Sequence, residues 1–199
     1  MNMNSDSTRG DLLPQQARSL RSRQLLLDAA RRVIEEVGID GLTLAMVASR
    51  AGVSVGTVYN RFEDRTHLIE EVVREWTRDV SAGFSSFATE AALGDPPAKL
   101  QAVVRLFREN RRFIRQVLIH SPLMPGIDEI VNPWLEQEKC RLVSDLSHDS
   151  EDDVERADLI ATMILSTVER AAINEVDDAR WSRLTTDLPI AGASLLALR

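Results

Sequence analysis

Gly56, Thr57, Tyr59, Asn60 and Arg61 form a run in which four side chains can hydrogen-bond, set among the apolar positions Val55, Val58 and Phe62. Such a set suits contact with duplex DNA. Thr57 and Asn60 can bond base edges, Tyr59 and Arg61 suit phosphates or bases, and Gly56 lets backbone come close to the duplex. Arg65 adds a charged fork matched to phosphate. Thr43 and Ser54 each stand before an apolar-periodic run, where a side-chain oxygen can cap a helix, and they complete the candidate DNA-binding set.

Two short helices around a tight turn would position these residues. Ala48, Gly52 and Val58 stand at i, i+4 and i+10. A small residue at Ala48 permits close helix approach, Gly52 can end a helix in the left-handed conformation, and Val58 plugs the angle between the helices. Phe62 deepens the same contact one turn later. With Val55, Val58 and Phe62 turned inward, the polar set faces out.

The run T-L-x-x-V-A-x-x-A-G-V-S-x-G-T-V-Y-x-x-F from Thr43 to Phe62 resembles the DNA-binding motif of the TetR family of bacterial transcriptional regulators. L-D-A-A at 27–30, Gly38 and Leu68 fit the same pattern. The similarity covers roughly residues 23–69, and it departs at Arg65, where the family usually carries Lys. The resemblance implies a dimer formed by the last two helices, a C-terminal domain enclosing a small-molecule effector, and a helix after residue 65 that transmits effector binding to the head.

The chain has 199 residues, 44% of them hydrophobic, and a net charge of −7. That charge is unevenly placed: residues 9–78 balance at +1, whereas residues 79–199 balance at −7. A DNA footprint must therefore be local, with Arg18, Arg21, Arg23, Arg61 and Arg65 as phosphate partners. No apolar run approaches the ~18 residues of a membrane span, and no signal peptide opens the chain, so a cytoplasmic protein is expected. Cys140 is the single cysteine, read as a semi-buried helix residue. The histidines His67, His120 and His148 are scattered and catalytic motifs are missing, which argues against an enzyme and against any metal or cofactor.

Residues 1–14 read as a flexible arm, from which Arg9 could reach a minor groove, as could Arg18 just beyond it. Residues 15–65 read as a three-helix helix-turn-helix domain and residues 66–199 as a helical effector-binding and dimerisation domain, giving an all-α fold. Helix 1 is expected over 15–37 with Leu26, Ala30, Val33, Ile34 and Val37 inward. A fourth helix is expected over 66–87. One long helix over 97–119 would align Arg105, Arg108, Arg112 and Arg115 in a basic stripe, read as a solvated face pairing with neighbours such as Glu109; an anionic effector is the alternative. Pro133 should kink or restart a helix over 127–146, and Pro189 should kink or divide the last helix. The helices over 152–174 and 178–198 carry broad apolar faces suited to a homodimer.

The expected function is a regulator, and a repressor, that binds a palindromic operator as a dimer and is released by an effector. Trp76, Phe84, Phe107, His120, Met124, Trp134 and Met163 are the candidate effector-binding residues, chosen as large apolar or polarizable side chains on presumed core faces. Two other classes stay open: the same fold acting without a ligand, and a ligand-sequestering helical protein.

Overall fold

A computed structural model describes residues 9–90, 95–147 and 150–197, with side chains except those of 9–16, 18 and 84–90. Among the described residues the secondary structure is helical, with no strand. The chain divides into two compact units between Val72 and Val73. No described helix is long and apolar enough to cross a membrane.

In the first unit, α1 (Arg9–Gly41) is interrupted at Gly38, whose φ of 80° and ψ of 170° suit only glycine. The helix starts earlier than the sequence suggests, so residues 9–14, expected within the arm, are helical, while residues 1–8 lie outside the described residues. Val37, expected inward, is 45% exposed. It lies against the turn that follows the break, where a Cβ on Gly41 would stand 3.1 Å from that of Val37. Leu26, Ala30, Val33 and Ile34 do face inward and pack the core with Val47, Ala48, Val58, Phe62, Leu68 and Ile69. Two short helices follow, α2 (Leu44–Ala51) and α3 (Val55–Tyr59). The next helix, α4 (Arg65–Glu90), supplies residues to both units.

In the second unit, α5 (Pro96–Glu109) and α6 (Arg111–His120) replace the expected single helix over 97–119. Asn110 makes the break: it leaves helical geometry, and its side-chain Nδ2 donates to the Leu106 carbonyl at 2.9 Å, serving as a local cap. The arginine stripe is thereby split between two helices. Arg111 pairs with Asp178 at 3.0 Å, and Arg115 donates to the Ile173 carbonyl and stands 3.5 Å from Glu175. The charge partners of these two come from a distant turn, whereas the sequence suggested a near neighbour such as Glu109.

One 3-10 turn (Ser121–Leu123) leads to α7 (Pro125–Leu146), which runs through Pro133, and then to α8 (Glu151–Ile173) and α9 (Asp178–Leu196). Ser150 caps α8 by accepting from the Asp153 amide, beside three acidic residues that suit a helix N-terminus. Pro189 does not divide α9. It removes the amide that would bond the Thr185 carbonyl, and Gln101 Nε2 on α5 donates to that carbonyl at 3.4 Å instead. Gly192 lets α9 approach α5 and α8 closely, since a Cβ there would lie 2.8 Å from Leu100 Cδ1 and 3.0 Å from Ile164 Cδ1. Cys140 is exposed on α7, where the sequence suggested a semi-buried residue. His148 lies outside the described residues.

Candidate nucleic-acid interface

The turn between α2 and α3 forms as its residue types require. Gly52 is left-handed with φ 68° and ψ 31°, and the Val53 amide donates back to the Ala48 carbonyl at 3.0 Å, closing the helix end. Thr43 caps α2 by accepting from the Met46 amide at 3.2 Å. Ser54 caps α3 in the same way through Thr57, and its hydroxyl also lies 2.9 Å from that of Thr57. Because α3 has only five residues, its position depends on side chains below it. Val58 is fully buried and Phe62 nearly so, and both fix the helix to the core.

Above those anchors Gly56, Tyr59 and Asn60 are exposed, Tyr59 to 58%, and Thr57 is half-buried. Val55, expected inward, is 41% exposed and joins this face. A position at the first turn of a five-residue helix cannot reach the core that Val58 reaches one turn later, so the apolar pattern alone misplaces it. The remaining space around Gly56 is open: a Cβ there would meet only Ser54 Oγ, at 3.8 Å.

The arginines are less free than their types imply. Arg61 donates to Ser19 Oγ on α1 at 2.9 Å. Arg65 donates through Nε to the Leu42 carbonyl at 2.9 Å and through Nη2 to the Ile39 carbonyl. Arg23 pairs with Glu71, and Arg21 is exposed. The side chains of Arg9 and Arg18 lie outside the described residues. Arg50, which the sequence did not single out, forks onto Glu36 with both bonds at 2.5 Å, tying α2 to α1 and holding the Glu36 carboxyl below the usual carboxylate range.

The proposed effector residues scatter. Trp76 and Trp134 meet, ring centroids 5.2 Å apart, and Trp76 also meets Phe113 on α6 at 5.3 Å. Phe113 was missed because the expected continuous helix gave it no special place. Trp134 Nε1 donates to Ser81 Oγ at 3.0 Å, and Ser81 donates to Glu138. Trp76 is 4% exposed, yet its Nε1 is buried without an acceptor. Phe107 is buried, and His120 is buried with Nδ1 2.8 Å from the Gln116 carbonyl. Met124 is half-buried beside them in sequence. Met163 is 36% exposed on α8 with Leu159, away from the inward face of Ile160, Ile164 and Val168, so it does not line a core. The side chain of Phe84 lies outside the described residues.

Comparison with known proteins agrees with this geometry. The family model described as bacterial regulatory proteins, tetR family, matches residues 26–72, which hold the helix-turn-helix. The HTH-type transcriptional regulator BetI of Burkholderia lata is 40% identical over 128 residues, 59% of this chain and 66% of that protein. BetI of Paraburkholderia phytofirmans is 42% identical over 82 residues, 41% of this chain and 42% of that protein. The matched stretches thus span less than two thirds of these curated relatives. Among solved structures, a putative TetR-family transcriptional regulator from Mesorhizobium loti superposes with a TM-score of 0.75 at 21% identity, covering 90% of this chain and 97% of the other. A transcriptional regulator from Rhodococcus sp. superposes with a TM-score of 0.72 at 22% identity, covering 87% and 95%. With motif, sequence relatives and fold in agreement, the chain belongs to the TetR family of bacterial regulatory proteins.

Proposed function

We propose that this chain is a cytoplasmic transcriptional regulator that represses by binding a palindromic operator as a homodimer, and that a small molecule releases it. The outward set on α3 supports this most directly: Gly56, Tyr59 and Asn60 stand exposed over a helix whose inward residues are fully fixed. Exposed apolar side chains support the dimer. Leu159, Met163 and Ile173 on α8, with Ile190 and Leu195 on α9, form outward faces that a second copy can cover. Two copies would present two α3 helices to successive major grooves, about 34–36 Å apart. For the effector, the orphan Nε1 of Trp76 supports a ligand bearing a hydrogen-bond acceptor, since a buried donor without a partner costs about 1–3 kcal/mol.

The test is binding to DNA from upstream of the chain's own coding sequence, at two salt concentrations, against random duplex. Specific, salt-sensitive binding by a dimer is expected. Tyr59→Ala and Gly56→Ala should each weaken it about tenfold or more with the thermal midpoint unchanged. Gly56→Ala is informative because a methyl group fits there in the free protein, so a loss reports close approach of the duplex. Normal binding by both variants refutes the face.

A further inference from the structure

We infer that Arg65 serves DNA recognition from within the first unit, as the residue that sets the orientation of the helix-turn-helix, and does not hold a phosphate. This rests on the DNA-binding reading above. Arg65 is the first residue of α4, and its guanidinium bonds the carbonyls of Ile39 and Leu42, which lie just past the Gly38 break. Leu42 precedes the cap residue Thr43, whose own carbonyl takes the first bond of α2 from the Val47 amide at 3.2 Å, while the Met46 amide bonds the Thr43 hydroxyl, so neither draws on the Leu42 carbonyl. The Leu42 carbonyl is therefore open to the guanidinium. The two bonds join the beginning and the end of the segment 42–65, and α2, the turn and α3 all lie between. Closing the ends of that segment fixes the direction in which α3 leaves the core. A planar fork with several donors can span two carbonyls, which a lysine ammonium on a flexible stem does not reproduce.

A phosphate contact and an orienting clamp respond differently to substitution. Full-length wild type, Arg65→Lys and Arg65→Gln are titrated with upstream DNA and with random duplex at several salt concentrations. The clamp predicts that Arg65→Lys loses roughly tenfold in specific affinity, as the competent orientation becomes a minority state. Its salt slope, its affinity for random duplex and its thermal midpoint stay near wild type. Arg65→Gln, which keeps a single donor nitrogen and no charge, falls by a similar factor with the slope unchanged. The inference is overturned if Arg65→Lys binds within about twofold of wild type while Arg65→Gln lowers the salt slope by about one, the signature of a lost phosphate contact.

A second measurement needs no variant. The Arg65 Nε–H proton resonance of the wild type should be protected from solvent exchange and should not move when random duplex is added. Exchange at the rate of a solvated arginine overturns the inference even if the variants fail to fold. Failure of the wild type to prefer upstream DNA counts against the DNA-binding reading alone, and the resonance then still decides the clamp.

Discussion

In the first unit the hydroxyls of Thr43 and Ser54 cap helices and the guanidinium of Arg65 sits on two carbonyls, whereas in the second the indole N–H groups of Trp76 and Trp181 are buried without an acceptor. Among the described residues those two indoles are the buried side-chain atoms lacking a partner, and both follow Val73. A carboxyl in the same unit, that of Glu169, is pushed up by burial. The contrast separates two ways of meeting a ligand. A head whose polar groups already hold its backbone presents a stiff outer face, so recognition comes from the residues left outside. A helical body with unmatched buried donors has hydrogen-bonding capacity that the proposed effector would use.

Stability should divide along the same line. Phe62→Ala removes a nearly fully buried ring from beneath α3 and is expected to cost about 3–5 kcal/mol by urea denaturation. A loss below about 1 kcal/mol would mean that the head does not depend on this anchor. Gly192→Leu forces side-chain atoms into the contact of α9 with Leu100 and Ile164, at an expected cost of about 1–3 kcal/mol. No loss there would show the helical body to be more yielding than its close approaches suggest.

The smallest effect concerns Glu169. Burial disfavours its ionised form in the folded state, so the wild type is destabilised as pH rises through the raised folded value. That penalty is absent below the ordinary carboxylate value. Glu169→Gln should therefore raise the thermal midpoint slightly at pH 7, and the difference should vanish near about pH 4. A difference that persists at low pH would assign the effect to packing.

Much of the head is legible in the sequence because its geometry is written locally. Gly52 and Ser54 define the turn through their own backbone and side chain, and Val58 and Phe62 fall on one side of a helix by spacing alone. Val55 was misplaced for lack of any signal of how short α3 would be. The direction of Arg65 depends on carbonyls at 39 and 42 that no residue type announces. In the helical body the failures are tertiary too. Asn110 breaks a helix that apolar periodicity would continue, and α8 has two apolar faces, so Met163 could not be assigned to the inner one from its type. The contact of Trp76, Phe113 and Trp134 brings together three helices, and spacing along the chain says nothing of it.

Pro189 gives α9 a borrowed rung. The backbone ladder of that helix lacks one bond, and the replacement comes from a glutamine on α5. The last two turns of α9, which carry Ile190 and Leu195, are thus splinted by a neighbour as well as by their own backbone. Should α5 draw back, the Thr185 carbonyl is left bare and the splint is gone. Water can then enter the helix at that point, and the end of α9 becomes free to bend independently of its beginning.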